Sequence, residues 1–217
     1  MRKLKTIEMN RLTVEEFKEA PKLPLIVVLD DVRSLYNVGS VFRSCDAFRV
    51  EAVYLCGITA TPPHPEIHKT ALGGEDSVSW KYFPTALEAV EDLKRNGYFV
   101  YAIEQVEGST KLHELQLKGD GEDVDGSFEA ADGEGVDGNH QPTEKAETEG
   151  GHRPTKHAVV FGNEVKGVHQ EVVDACDGCL EIPQFGTKHS LNVSVTAGIV
   201  VWEFARQVIL KRQEARK

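Results

Sequence analysis

The sequence predicts an α/β domain with a parallel sheet flanked by helices, and three observations carry that expectation. Short apolar runs alternate with segments of helical periodicity along most of the chain. The first run, "LPLIVVL" at Leu23–Leu29, is apolar throughout, as a strand covered on both faces requires. Polar and glycine residues cluster where such runs end, at Asn37–Gly39, Gly162–Gly167 and Gly186–Asn192. In open α/β sheets that edge is where ligands bind.

After the first strand, Val38, Val41, Phe42, Cys45 and Phe48 fall on one stripe of a helix. "AVYLCG" (Ala52–Gly57) and "VSWKYF" (Val78–Phe83) read as the second and third strands. Thr85 and Glu88 form a capping-box pattern that opens a helix ending near Gly97. "YFVYAI" (Tyr98–Ile103), "HAVVFG" (His157–Gly162) and the short "CLEIP" (Cys179–Pro183) supply the remaining strands. A terminal helix is expected over roughly Leu191–Lys211, opened by Ser190-Leu191-Asn192 with Ser190 placed to cap it. From Val193 to Phe204 this helix is apolar on nearly every face. Its own sheet covers one side, and a second copy of the chain is expected to cover the other.

At 217 residues the chain can form one sizeable core. Residues 1–22 read as a short charged arm, and 23–217 as the main domain. Residues 119–151 interrupt that domain with an acidic, glycine-rich insertion that cannot bury enough apolar surface to order itself. The net charge of −10 comes from this segment. Residues 119–150 hold eleven of the 35 acids and one of the 25 bases, which leaves 24 of each elsewhere. A neutral body neither demands nor excludes a nucleic-acid partner. No apolar run reaches the roughly 18 residues of a membrane span, and the basic start lacks a following apolar stretch. Four cysteines fit a reduced interior, so a cytoplasmic protein is expected. No metal is expected either: the acidic segment misses the EF-hand spacing, Cys176 and Cys179 lack a second cysteine pair, and the eight histidines show no ligand spacing.

Several polar residues call for more than structural punctuation. Arg43 lies opposite the apolar stripe of its helix, where a surface arginine would also lie. Asn37 is at a strand-to-helix turn that favours anions and suits a helix cap, but the turn matches neither a Walker loop nor G-x-G-x-x-G. Glu164 stands at the tip of "FGNEVKG", and Asn192 is a poor helix former just inside a helix start.

Together, "NVGSVFRSCDAF", "VVFGNEVKG" and "IPQFGTKHSLNVSVTAGIVVWEF" resemble the three motifs of the SpoU (TrmH-like) family of RNA 2′-O-ribose methyltransferases, in the SPOUT superfamily. The resemblance spans about Leu25–Arg206 apart from the acidic insertion, and "HKTALGGEDSV" is similar to the family's segment between the first two motifs. It implies a C-terminal trefoil knot, an exception to the usual unthreaded topology, and a homodimer through the terminal helix. It also implies S-adenosylmethionine as cofactor and tRNA or rRNA as substrate. Carried over by motif, the cofactor would touch Gly162, Ile182, Ser190 and Leu191, with Ile103 at a neighbouring strand end. Asn37, Arg43, Glu164, Ser190 and Asn192 match catalytic and substrate-orienting positions. Amides at 37 and 192 suit the holding of hydroxyls, Arg43 suits a phosphate clamp, and Gly39 would keep the groove wall thin. A guanidinium with a pKa above about 12 is a poor base, which leaves the base unassigned. A catalytically inactive knot-fold RNA-binding module is the alternative, and a phosphate-binding hydrolase a second. The acidic insertion is expected to be a spacer held clear of RNA.

Overall fold

The computed structural model describes residues 1–117 and 156–210. Leu25–Asp30 are all buried, so their strand must lie in the interior of a sheet covered on both sides. It does. Strand β1 (Leu23–Asp30) pairs in parallel with β2 (Val50–Cys56) on one side and β6 (His157–Phe161) on the other. The remaining strands are β3 (Ser79–Phe83), β4 (Phe99–Ile103), β5 (Thr110–Lys111) and β7 (Gly178–Glu181). The sheet runs β3-β2-β1-β6-β4-β7-β5, and every pair is parallel. Ser79–Tyr82 of β3 are exposed, as suits an edge. The two-residue β5 is absent from the sequence-based reading, because two residues carry no periodicity.

Among the described residues, seven α-helices flank the sheet: α1 (Val14–Glu19), α2 (Leu35–Ala47), α3 (Pro65–Ala71), α4 (Gly74–Ser77), α5 (Ala86–Arg95), α6 (Gln170–Ala175) and α7 (Val193–Ala205). Side chains along β1 alternate between two cores. Leu25, Val27 and Leu29 meet Val41 and Phe42 of α2 and Val200 and Phe204 of α7. Ile26 and Val28 join Val90 and Leu93 of α5 and Val172 of α6. Each such fully buried side chain stabilises the fold by about 1.5–3 kcal/mol before conformational entropy is counted.

Local signals set several helix starts. Thr85 Oγ1 accepts from Glu88 N at 3.2 Å, as the capping pattern predicts. Three other readings need correction. Ser34 caps α2, accepting from Asn37 N at 3.3 Å, so Asn37 lies in the first turn with its side chain free for other work. Asn192, not Ser190, caps α7, accepting from Ser194 N at 2.9 Å. Gly39 is no groove wall: a Cβ there would lie 2.2 Å from Ile67 O, so glycine is required for α3 to pack on α2.

The terminal helix begins as α7 at Val193 and passes into a π-helical turn over Arg206–Leu210. In that turn the buried Gln207 donates to Leu115 O at 2.7 Å and accepts from Leu117 N at 2.8 Å. Val193, Ala197, Val200, Val201 and Phe204 of α7 are buried, whereas Val195, Ile199 and Trp202 form an exposed stripe. Near the N-terminus, Phe17 of α1 anchors that otherwise charged helix in the core. The acidic insertion at 119–151 and the chain beyond Leu210 lie outside the described residues. Among the described residues no helix is long and apolar enough to cross a membrane.

Candidate functional site

The carboxyl ends of β1, β6, β4 and β7 share one edge of the sheet, and three polar segments meet there. The first is the β1–α2 connection. Because Ser34 is the cap, Asn37 occupies the third helical position, on the side facing the start of α7. It is only 9% exposed. Its Nδ2 donates to Glu164 Oε1 at 3.1 Å, and its Oδ1 accepts from Asn192 Nδ2 at 3.1 Å. Only this amide orientation satisfies both partners. Asn192 Oδ1 is occupied by its capping bonds and by Ser194 Oγ at 2.6 Å, so its Nδ2 faces Asn37.

Glu164 closes the chain of contacts. Its carboxylate accepts from Arg33 N at 3.1 Å and Ser34 N at 3.0 Å, over the amino end of α2. Partial burial pushes its pKa up, but those donors, its own backbone N–H and the Asn37 amide outweigh burial, and the net shift is downward. Glu164 is therefore an ionised acceptor that orients Asn37, which in turn orients Asn192.

The loop carrying Glu164 is tightly built. Asn163 and Gly167 exchange backbone hydrogen bonds at 3.0 and 2.9 Å. A Cβ on Gly162 would lie 2.0 Å from Gly167 C, and Gly167 has φ +71°, so both glycines are dictated by the loop itself. The buried Asn163, not singled out in the sequence, donates from Nδ2 to Asp31 O at 2.8 Å and accepts from Val165 N at 2.9 Å. The following His169 meets Asp30 Oδ2 through its ring Nδ1 at 2.9 Å and its backbone N at 3.2 Å. Asp31 also lies within 3.8 Å of the ring. These contacts tie the loop to the end of β1 across 139 residues, a separation no local pattern reveals.

A cavity of about 690 Å³ lies between this loop and the segment 182–192. Ile103, Gly162, Ile182, Ser190 and Leu191 all line it, as do Glu164 and Asn192. Glu104 and Gln105 line it too, and the sequence reading passed over both. Gln105 Nε2 donates to His189 O at 3.1 Å, tying the end of β4 to the third segment.

Arg43 stands apart. Six residues beyond Asn37, it is turned about 120° from it around the helix. It is exposed and forms no hydrogen bond or ion pair among the described residues. It shares the outward stripe with Tyr36 and Ser40. Cys176, set aside as a zinc ligand, is a poor nucleophile as well: burial pushes its thiol up to about 12.

Comparison with known proteins bears on this arrangement. A tRNA (guanosine(18)-2'-O)-methyltransferase from Thermus thermophilus is 30% identical over 200 residues, covering 92% of this chain and 84% of that one. The 23S rRNA (guanosine-2'-O-)-methyltransferase RlmB of Neisseria meningitidis is 26% identical, covering 88% of this chain and 62% of its own length. The chain thus spans under two thirds of that rRNA enzyme. Among solved structures, the A. aeolicus TrmH/SpoU tRNA modifying enzyme superposes with a TM-score of 0.67 at 22% identity, over 92% of this chain and 84% of that one. An AdoMet-bound rRNA methyltransferase from Sinorhizobium meliloti gives 0.64 at 22% identity, over 87% and 61%. The family model of the SpoU rRNA Methylase family matches residues 24–202, a span that holds Asn37, Glu164 and Asn192 together with the whole cavity lining. This protein belongs to the SpoU rRNA methylase family.

Proposed function

We propose that this protein transfers a methyl group from S-adenosylmethionine to the 2′-hydroxyl of a ribose in tRNA or rRNA. One observation carries the reading: the Glu164–Asn37–Asn192 hydrogen-bond chain borders a cavity lined by the five residues expected to hold the cofactor. Both curated relatives described above are named as RNA 2′-O-methyltransferases. The residues fit the cofactor. The cavity falls within the roughly 300–1,000 Å³ of small-molecule sites. Its lining residues include Glu104, Glu164 and Glu181, acids that suit a positively charged ligand.

When bound, the cofactor supplies an electrophilic methyl group on a sulfonium. The chain's own residues supply alignment. Glu164 fixes Asn37, and Asn37 fixes Asn192, leaving the second Nδ2 hydrogen of Asn192 to hold a ribose oxygen. The Ser190 hydroxyl, exposed at the cavity rim without a partner among the described residues, is placed to meet the 2′-hydroxyl. Arg43, on the outward stripe of α2 and apart from the cavity, would clamp a phosphate of the bound RNA bidentately. The 182–192 segment enters the site as part of a C-terminal trefoil knot. Two copies pair through the α7 stripe of Val195, Ile199 and Trp202, which would otherwise expose apolar surface to water. Residues 1–22 act as a charged arm and 119–151 as a spacer. Cytoplasmic RNA is the natural partner of a chain with four free cysteines.

The test is tritium transfer from labelled cofactor to RNA from cells lacking this protein, with Arg43→Ala beside wild type. The expected outcome is loss of transfer with cofactor affinity kept within about threefold, the pattern of a residue that holds the RNA and not the cofactor. Wild-type turnover by Arg43→Ala overturns that role. Cofactor binding without transfer by the wild-type protein would favour the inactive RNA-binding module.

A further inference from the structure

Glu104, directly after β4, lies outside the three polar segments. We propose that its carboxylate binds the cofactor and selects the charged sulfonium form over the neutral thioether that remains after methyl transfer, an inference that rests on the cofactor reading above.

Of the three glutamates lining the cavity, two have carboxylates committed elsewhere. Glu164 faces the amino end of α2 and Asn37. Glu181 is ion-paired with Lys111. Glu104 is fixed in place but not neutralised. Its Oε1 accepts from Gln105 N at 2.9 Å and its Oε2 from Val168 N at 3.1 Å. A carboxylate has about four acceptor sites, so these two neutral donors set its direction and leave half its capacity open. No cation pairs with it among the described residues. Gly167 packs so closely that a Cβ there would lie 2.1 Å from Glu104 Oε2, which confines the carboxylate further.

A half-buried carboxylate without a counter-ion carries a desolvation cost that an arriving cation relieves. S-adenosylmethionine carries positive charge on its sulfur and on its amino group, and the reaction removes only the first. Position favours the sulfur. Gln105, the next residue, is hydrogen-bonded to His189 O, directly before Ser190 and the Asn192 cap. That bond joins the end of β4 to the segment carrying Ser190 and Asn192, and on this proposal the sulfonium lies at that end, beside Glu104. Once the methyl has left, the attraction at that end is gone, and the product is held less tightly than the substrate form.

The experiment is isothermal titration calorimetry on the full chain with S-adenosylmethionine, S-adenosylhomocysteine and sinefungin, whose protonated amine stands in for the sulfonium methyl. Glu104→Gln should weaken the two cationic ligands about tenfold and leave the neutral thioether within about twofold. The thioether serves as an internal control for an intact cavity. Equal weakening of all three, or of none, overturns the role of Glu104 and leaves the cofactor reading standing. Binding of none of the three by the wild-type protein overturns both. If Glu104→Gln does not fold, the wild-type preference for cation over thioether is measured at low and at about 0.5 M salt, where a charge interaction is screened. A preference that ignores salt overturns the proposal.

Discussion

Asn37→Asp exchanges one amide nitrogen for oxygen and tests the polar network directly. In the wild-type protein Nδ2 donates to Glu164 Oε1 across 3.1 Å. In the variant two carboxylates face each other there. At that separation two unit charges repel by about 1 kcal/mol in a water-like dielectric and about 5 kcal/mol at an effective dielectric of 20. Glu164 is open to solvent on one side, so screening keeps the repulsion near the lower end, at about 2 kcal/mol. The lost hydrogen bond adds about 1 kcal/mol. Together these lower the melting temperature by about 6–12 °C for a chain of this size.

The pH dependence gives the sign. In the wild type the Glu164 pKa is depressed, so its stabilisation is present above the ordinary carboxyl range and lost as pH falls through the folded value. In the variant the carboxyl pair holds one proton above that range, so the penalty grows as pH rises. Melts followed by circular dichroism at pH 5 and pH 8 should show Asn37→Asp losing ground at pH 8. Asn37→Ala should show a nearly constant deficit. Parallel curves for the two variants would mean that the Asn37–Glu164 contact does not form in solution.

Two further outcomes follow from other parts of the fold. His157 lies between Tyr101 and Phe204 at ring distances of 6.2 and 5.6 Å, with Nδ1 buried and unbonded, and burial pushes its pKa down to about 4. The unfolded chain binds this proton below about 6.5 and the folded one does not, so stability should fall by about 2 kcal/mol between pH 7 and pH 5. Urea unfolding of wild type and His157→Phe at both pH values reads this, and an unchanged slope in the variant would refute it. Trp202→Glu places a charge in the α7 stripe at a side chain 47% exposed, and should convert a micromolar dimer to a folded monomer by light scattering. A wild-type monomer under the same conditions would remove the reason for the stripe.

Much of the fold is legible because burial has a period. The unbroken run at Leu23–Leu29 marks an interior strand, and the capping pattern at Thr85–Glu88 marks a helix start, since both signals come from residues within one turn or one strand. Cap choice at α2 and α7 was less legible. Ser34 and Asn37, or Ser190 and Asn192, are all competent caps by chemistry. Which one accepts depends on where the backbone bends. Helices α3 and α4 are too short to show a period, and their places against α2 are set by the absence of a side chain at Gly39 for α3 and at Gly74 for α4.

The three polar clusters, with their glycines and amides at strand ends, were determined by the sequence alone. So was the all-round apolar character of Val193–Phe204. Only the tertiary structure decided that Asn37 joins Glu164 and Asn192, that Arg43 faces elsewhere, and that Glu104 joins the cavity lining. The physical reason is range. Apolar periodicity records burial over a few residues, whereas a hydrogen bond between positions 127 or 155 residues apart exists only once the sheet has brought its strand ends together.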